Sequence, residues 1–186
     1  MNEANTTSNL ISTKTLVLIA LMTAITCILA PLSIPLPISP VPITLTNLVL
    51  YFSIYLLGWK NATISYVIYL LLGIVGLPVF SGFSGGLGKV AGPTGGYLVG
   101  FLFITVLSGI IVEKFEQNRL MCVVGIVIGL AICYILGTLW LAVQMDMTFV
   151  AALSIGVLPY LLGDAVKIIV AVLVAPSIKK RVNAFS

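Results

Sequence analysis

The chain holds no histidine and almost no charge. Nine Lys and Arg and five Asp and Glu make 8% charged residues in 186, where a soluble domain carries about 25%. Long stretches have none at all: Thr15–Trp59, Asn61–Gly88, Val90–Val112 and Leu120–Met145. This excludes a soluble catalytic or nucleotide-binding module. Nucleic-acid binding is excluded too, because no basic stripe with interleaved aromatics exists. Without histidine there is no imidazole base and no imidazole metal ligand. Cysteine is scarce as well. Cys27, Cys122 and Cys133 are odd in number, lie in apolar runs and form no close pair, so they read as core packing rather than disulfides or metal ligands. No cofactor and no metal is expected.

What the chain has instead is hydrocarbon, at 60% hydrophobic residues. A bilayer span takes about 20 predominantly apolar residues, and the apolar runs divide into six. Residues 1–13 form a polar tail, and 182–186 a short C-terminal one. Between them, 14–181 make a single membrane domain, all-α, with spans at Lys14–Ala30, Thr44–Gly58, Ala62–Leu77, Tyr97–Val112, Leu120–Val143 and Leu158–Ile178. The first span is read as retained, since a single weak positive charge precedes its core and Pro31 follows Ala30.

The connections are unusual. Residues 31–43, PLSIPLPISPVPI, hold five prolines and cannot be helical. They are apolar, so the loop is expected at the interface or folded back into protein. Residues 78–96, PVFSGFSGGLGKVAGPTGG, are rich in glycine. Residues 148–157 fit an interfacial helix. Glu113, Glu116 and Asp146 fall in loops and read as solvated, while Trp59 and Tyr97 read as interfacial belt residues.

Six spans place both termini on one side, and the basic residues identify it. With the N-terminus inside, Lys14, Lys60, Lys114, Arg119, Lys179, Lys180 and Arg181 are cytoplasmic, and only Lys89 is external. The Pro-rich first loop and the Gly-rich third loop are then both external.

Against this background, Asp164 and Lys167 stand out. Both lie inside the sixth span, where a charge costs roughly 2.5–3.5 kcal/mol on insertion scales. At i,i+3 they share one helix face, and Tyr160 extends it by a turn. Counted from Leu158 at 1.5 Å per residue, Asp164 is about 9 Å deep and Lys167 about 13 Å, in the outer half of the bilayer. A buried pair and two unusual loops thus converge on one side, as in an outward-facing binding pocket with loop lids. The plain alternative is a structural ion pair that pins the helix to its neighbours.

The glycine loop is not a phosphate loop. Gly88-Lys89 is followed by Val90, Phe83 stands where the first glycine belongs, and no strand precedes it. Its glycines instead permit close backbone approach to a ligand, and Gly92-Pro93-Thr94-Gly95-Gly96 makes a tight turn into the fourth span. The small-residue spacings Gly96-x3-Gly100, Gly125-x3-Gly129 and Ala20-x3-Ala24 permit close helix packing. Catalysis has little to work with, because no second carboxylate or activated nucleophile accompanies the Asp–Lys pair.

Three segments carry a resemblance: LPVFSGFSGGLGKVAGPTGGYLVGF at 77–101, PVPITL at 40–45, and Asp164-x-x-Lys167. Together they resemble the BioY family, the biotin-specific S components of energy-coupling factor (ECF) vitamin transporters, over essentially the whole chain. The resemblance implies a multi-pass subunit of a prokaryotic cell membrane that is not an enzyme. It implies capture of biotin from outside and docking on an ECF module of two ATPase subunits and a transmembrane coupling protein. Ala20 and Ala24 match the small-residue pattern of that coupling surface. The family often carries a glutamine near Thr46; here Thr46-Asn47 stands there, and Asn47 takes the amide's place.

Biotin's chemistry agrees with the residues. Asp164 accepts a ureido N–H, and Lys167 offers three donors. The tail then points to the loops, where Lys89, Thr94 and the amides of Gly92, Gly95 and Gly96 meet its carboxylate. Three alternatives stay open: a secondary carrier with Asp164 as proton coupler, an intramembrane enzyme, and a structural membrane subunit.

Overall fold

A computed structural model describes residues 12–184; the expected N-terminal tail lies outside them as far as residue 11, as do residues 185 and 186. Helix α1 (Thr13–Leu29) begins where the Ser12 side chain accepts the Thr15 N–H, the usual satisfaction of a first-turn donor. Pro31 ends it.

The Pro-rich segment corrects the all-helical expectation. It is an antiparallel hairpin of β1 (Ile34–Leu36) and β2 (Ser39–Ile43), with Ile34 opposite Ile43 and Leu36 opposite Ser39. The register shifts between these two pairs, and Pro35, Pro40 and Pro42 all fall within that irregularity, where a residue without an N–H is tolerated.

Helix α2 (Thr46–Ile74) is broken at Gly58, whose φ of 74° and ψ of 168° leave the helical region. The residues on either side run in opposite directions. Asn47 and Tyr69 line one cavity, whereas Trp59 is held at the far end by Glu113. That contact is an inter-helix cap: the Trp59 N–H, orphaned by the break, donates to Glu113 Oε2 at 3.1 Å. Glu113 is thus not simply solvated. Neither is Glu116, which pairs with Lys179 at 2.7 Å.

A short α3 (Leu87–Ala91) lies within the glycine loop. Helix α4 (Gly95–Phe103) passes through a π-helical turn at Ile104–Ser108 into α5 (Gly109–Lys114). Helix α6 (Arg119–Gln144) packs along both, because glycines let the backbones approach. A Cβ on Gly100 would come within 2.7 Å of Cys133 Sγ, and one on Gly125 within 2.6 Å of Ile111. Tyr97 sits against Gly137 and donates to Gly156 O at 2.9 Å. At 5% exposure it is a core residue, not the belt residue expected.

Helix α7 (Phe149–Gly156) and a 3-10 turn at Leu158–Tyr160 lead into α8 (Leu161–Ala184). Since α8 runs to Ala184, residues 182–184 are helical rather than tail. Gly95–Lys114, Arg119–Gln144 and Phe149–Ala184 are each long and apolar enough to cross a membrane, and the 17-residue α1 is a shorter apolar helix. The hairpin, the glycine loop and the start of α8 meet at one end of the bundle. Gly82 N–H donates to Pro31 O at 3.1 Å, and Tyr160 reaches Ser39 and Val41.

Candidate functional site

At that end a cavity of about 680 Å³, open mouth included, descends between the hairpin, α2, α4, α6 and α8. Its walls are mostly apolar and aromatic, with Tyr69, Phe80, Tyr97, Phe101 and Leu130 among them. Polar groups gather at two levels, as expected of a small-molecule site.

Asp164, Lys167 and Asn47 form the deeper level. Asp164, 5% exposed, accepts on Oδ1 from Lys167 Nζ at 2.9 Å and from Asn47 Nδ2 at 2.8 Å. Its Oδ2 accepts from the Tyr134 hydroxyl. Lys167 spends each of its three hydrogens, on Asp164 Oδ1, on Asn47 Oδ1 at 3.0 Å and on Thr44 O at 2.7 Å. The pair is therefore solvated by protein, which offsets the cost of burying it.

Local structure explains this convergence. Lys167 reaches Thr44 O because β2 ends at Ile43 and α2 starts only at Thr46, leaving that carbonyl free of a ladder or helix bond. Asn47 lies in the first turn of α2 and is buried. Its Oδ1 also accepts the Leu48 N–H at 3.1 Å, which fixes which way the amide faces.

Lys89 and Thr94 form the outer level. Thr94 is 8% exposed and lines the cavity. Lys89 is half-buried on α3 and lines both the cavity and a neighbouring groove walled by Ser33, Ser39, Ser81 and Ser84. Its partial burial lowers the ammonium pKa from 10.5.

Of the residues singled out from sequence, Asp164, Lys167, Tyr160, Asn47, Lys89 and Thr94 share this cavity. Tyr160 is tied to the hairpin, its hydroxyl donating to Val41 O and lying 2.9 Å from Ser39 Oγ. Gly92, Gly95 and Gly96 are absent from the lining. Gly92 O accepts from Trp140 Nε1 at 2.9 Å, and Gly95 and Gly96 lie against Val90 and Trp140. These glycines fasten the loop to α6. Ala20 and Ala24 do not line the cavity; they are exposed on α1, as are Leu16, Val17, Leu21 and Ile28.

Tyr134, Cys133 and Thr44 were not legible as site residues. Tyr134 and Cys133 sit in an apolar run whose facing is set only by the packing of α6, and Thr44 contributes through its backbone.

Known proteins give a consistent comparison. The model of the BioY family matches residues 2–184. The chain is 40% identical to the biotin transporter BioY of Thermotoga maritima over 79% of its length and 86% of the relative. It is 36% identical to the probable biotin transporter BioY of Pyrococcus horikoshii over 87% of its length and 94% of that protein. It is also similar to the crystal structure, at 2.1 Å, of the S component for biotin from an ECF-type ABC transporter. That match has a TM-score of 0.84 at 34% identity and covers 90% of this chain and 91% of that one.

Proposed function

This chain belongs to the BioY family, and on that premise we propose that it is the biotin-binding S subunit of an ECF-type vitamin uptake transporter. The observation that carries this reading is the Asp164–Lys167–Asn47 cluster, held in a mostly apolar cavity between the hairpin and the glycine loop.

Biotin brings a cyclic urea, an apolar thioether ring and a carboxylate tail. The urea belongs at the deep level. An ionised carboxylate has about four lone-pair sites, and Asp164 uses three of them on Lys167, Asn47 and Tyr134. The fourth accepts a ureido N–H. Asn47 spends one of its two amide hydrogens on Asp164, and the other serves the ureido carbonyl. The ring packs on the aromatic wall, and the tail rises to Thr94 and Lys89. A site with such polar groups discriminates strongly against analogues that lack the urea.

The same reading makes the protein a multi-pass protein of the cell membrane with six spans, both termini cytoplasmic and the cavity external. Two observations support it. Glu113, Trp59, Glu116 and Lys179 meet at the end away from the cavity, which is where the basic residues cluster. Gly58 also lets α2 cross twice. The exposed Ala20 and Ala24 leave a shallow strip on α1 for close helix approach, suited to the transmembrane coupling protein of an ECF module. ATP hydrolysis then belongs to that module's two ATPase subunits.

Vesicle uptake tests this. Labelled biotin accumulates when the chain is reconstituted with an ECF module and ATP, and accumulation stops without ATP. Uptake that needs no ATPase and collapses with a protonophore would instead make this a secondary carrier driven through Asp164.

A further inference from the structure

The outer level of the cavity continues into a second space. A groove of about 640 Å³, counted out to its open mouth, lies between the hairpin and the glycine loop. Ser33 and Ser39 wall it on one side, Ser81, Gly82 and Ser84 on the other. Pro42, Ser81 and Lys89 line both the groove and the cavity, so the two spaces join at these residues.

The two linings differ in chemistry. Aromatic rings wall the cavity, whereas serine, proline and glycine face the groove and no aromatic residue does among those described. Ser84 donates its hydroxyl hydrogen to Ser81 O at 2.8 Å and keeps its lone pairs to accept. The hydroxyls of Ser33 and Ser81 bond to no described residue. A stretch of ligand lying here meets donors and acceptors together, which suits an amide better than a hydrocarbon chain.

Lys89 stands where the spaces meet, and it is the one charged residue among those described in the groove lining. It is half-buried, and its ammonium has neither an ion pair nor a hydrogen bond to any described residue. A partly desolvated cation without a counter-charge is stabilised by an anionic ligand. From the junction it can meet a carboxylate that ends in the cavity or one that ends in the groove. One added residue moves a terminal carboxylate outward by at most about 3.3–3.6 Å, within the swing of lysine's flexible four-carbon stem.

We infer that the groove is a subsite for whatever is attached to the ligand's carboxyl group, so that the protein takes biotin joined by an amide to an amino acid as well as free biotin. The inference rests on the biotin reading above. The ring system stays at the cavity floor, the amide lies among the serine hydroxyls, and the amino acid's carboxylate replaces biotin's own beside Lys89. The sign of that charge sets the order of preference: an attached group ending in a carboxylate ahead of a neutral one, and a neutral one ahead of an ammonium.

Competition against labelled biotin, by equilibrium dialysis of the purified full chain, tests this with three conjugates of similar size: biotinyl-glycine, the propylamide of biotin and its aminoethyl amide. Biotinyl-glycine should compete for the site. The propylamide should bind about two- to fivefold more weakly than biotinyl-glycine, the worth of a half-exposed ion pair, and the aminoethyl amide more weakly still. In Lys89→Met the three should bind alike. Ser33→Leu fills the groove at a position outside the cavity lining; it should weaken biotinyl-glycine at least about fivefold and free biotin less than about twofold. Wild type that binds biotin and excludes biotinyl-glycine overturns the inference and leaves the groove an entrance only, whether or not the Ser33 variant folds. So does the reverse charge order, or an equal loss of both ligands in Ser33→Leu. A wild-type chain that binds no biotin overturns the biotin reading itself, a result distinct from the others.

Discussion

Tyr134 donates its hydroxyl hydrogen to Asp164 Oδ2, the carboxylate oxygen that neither Lys167 nor Asn47 touches. Each oxygen of the buried acid is thereby held from a different helix: Oδ1 from α2 and from α8 itself, Oδ2 from α6. The position of the carboxylate at the cavity floor thus depends on how these three helices pack.

Removing that hydroxyl should be felt in stability and binding together. A hydrogen bond to a charged group contributes about 1.5–3 kcal/mol. Tyr134→Phe should lower the stability of the ligand-free protein by about that amount, and biotin affinity should fall at least about tenfold. Chemical unfolding in detergent and equilibrium binding check the two effects. An unchanged protein on both counts would mean that the contact is incidental.

The Asp164–Lys167 pair predicts a non-additive mutant cycle. Lys167→Met leaves a buried carboxylate without its cation, and Asp164→Asn leaves a buried ammonium without its anion. Breaking such a pair from one side costs about 3–5 kcal/mol. The double variant should lose clearly less than the sum of the two, because it leaves no unmatched charge. Additive losses in unfolding free energy would contradict the paired description.

The sequence made this pair legible because charge inside an apolar run is conspicuous and i,i+3 spacing fixes a common helix face. Lys89 and Thr94 were legible from the glycine loop and Asn47 from the family pattern, but the hydrogen bonds that join Asn47 to both members of the pair were not. Tyr134 was hidden, since a tyrosine in Leu120–Val143 looks like any other until the rotation of α6 is known. The hairpin was hidden for another reason. Five prolines rule out helix, yet only the pairing shows Pro35, Pro40 and Pro42 gathered where the hairpin register shifts, a place that tolerates them. The glycines misled in a third way. Gly95 and Gly96 were expected to approach a ligand, and what approaches them is Trp140.

That packing gives a prediction of its own. A side chain on Gly96 would collide with Trp140 and come within 2.9 Å of Leu136 O. Gly96→Val should force α4 from α6 and lower the unfolding temperature markedly. Gly88→Ala, where a Cβ meets nothing within 4 Å, should leave it unchanged. Equal behaviour of the two variants would refute the close approach.

The pH dependence of binding follows from Lys89. Burial lowers its ammonium pKa from 10.5, and an anionic ligand tail beside it favours the charged form. Affinity is therefore full while Lys89 is protonated. It falls as pH rises through the lowered pKa, in a window that opens below pH 10.5. Biotin affinity measured from neutral to alkaline pH should show this decline in the wild type, and Lys89→Met should be weaker at neutral pH and flat across the window. A biotin amide without the carboxylate should lack the decline as well. A wild-type profile flat to pH 10.5 would place the tail elsewhere.

The central claim, that the buried acid is where biotin's urea is read, is tested most directly by equilibrium dialysis of labelled biotin against the purified wild type and Asp164→Asn. The account predicts saturable binding by the wild type and, in the variant, affinity at least about tenfold lower, the loss of a charge-assisted hydrogen bond. Asp164→Asn binding biotin as tightly as the wild type would contradict it.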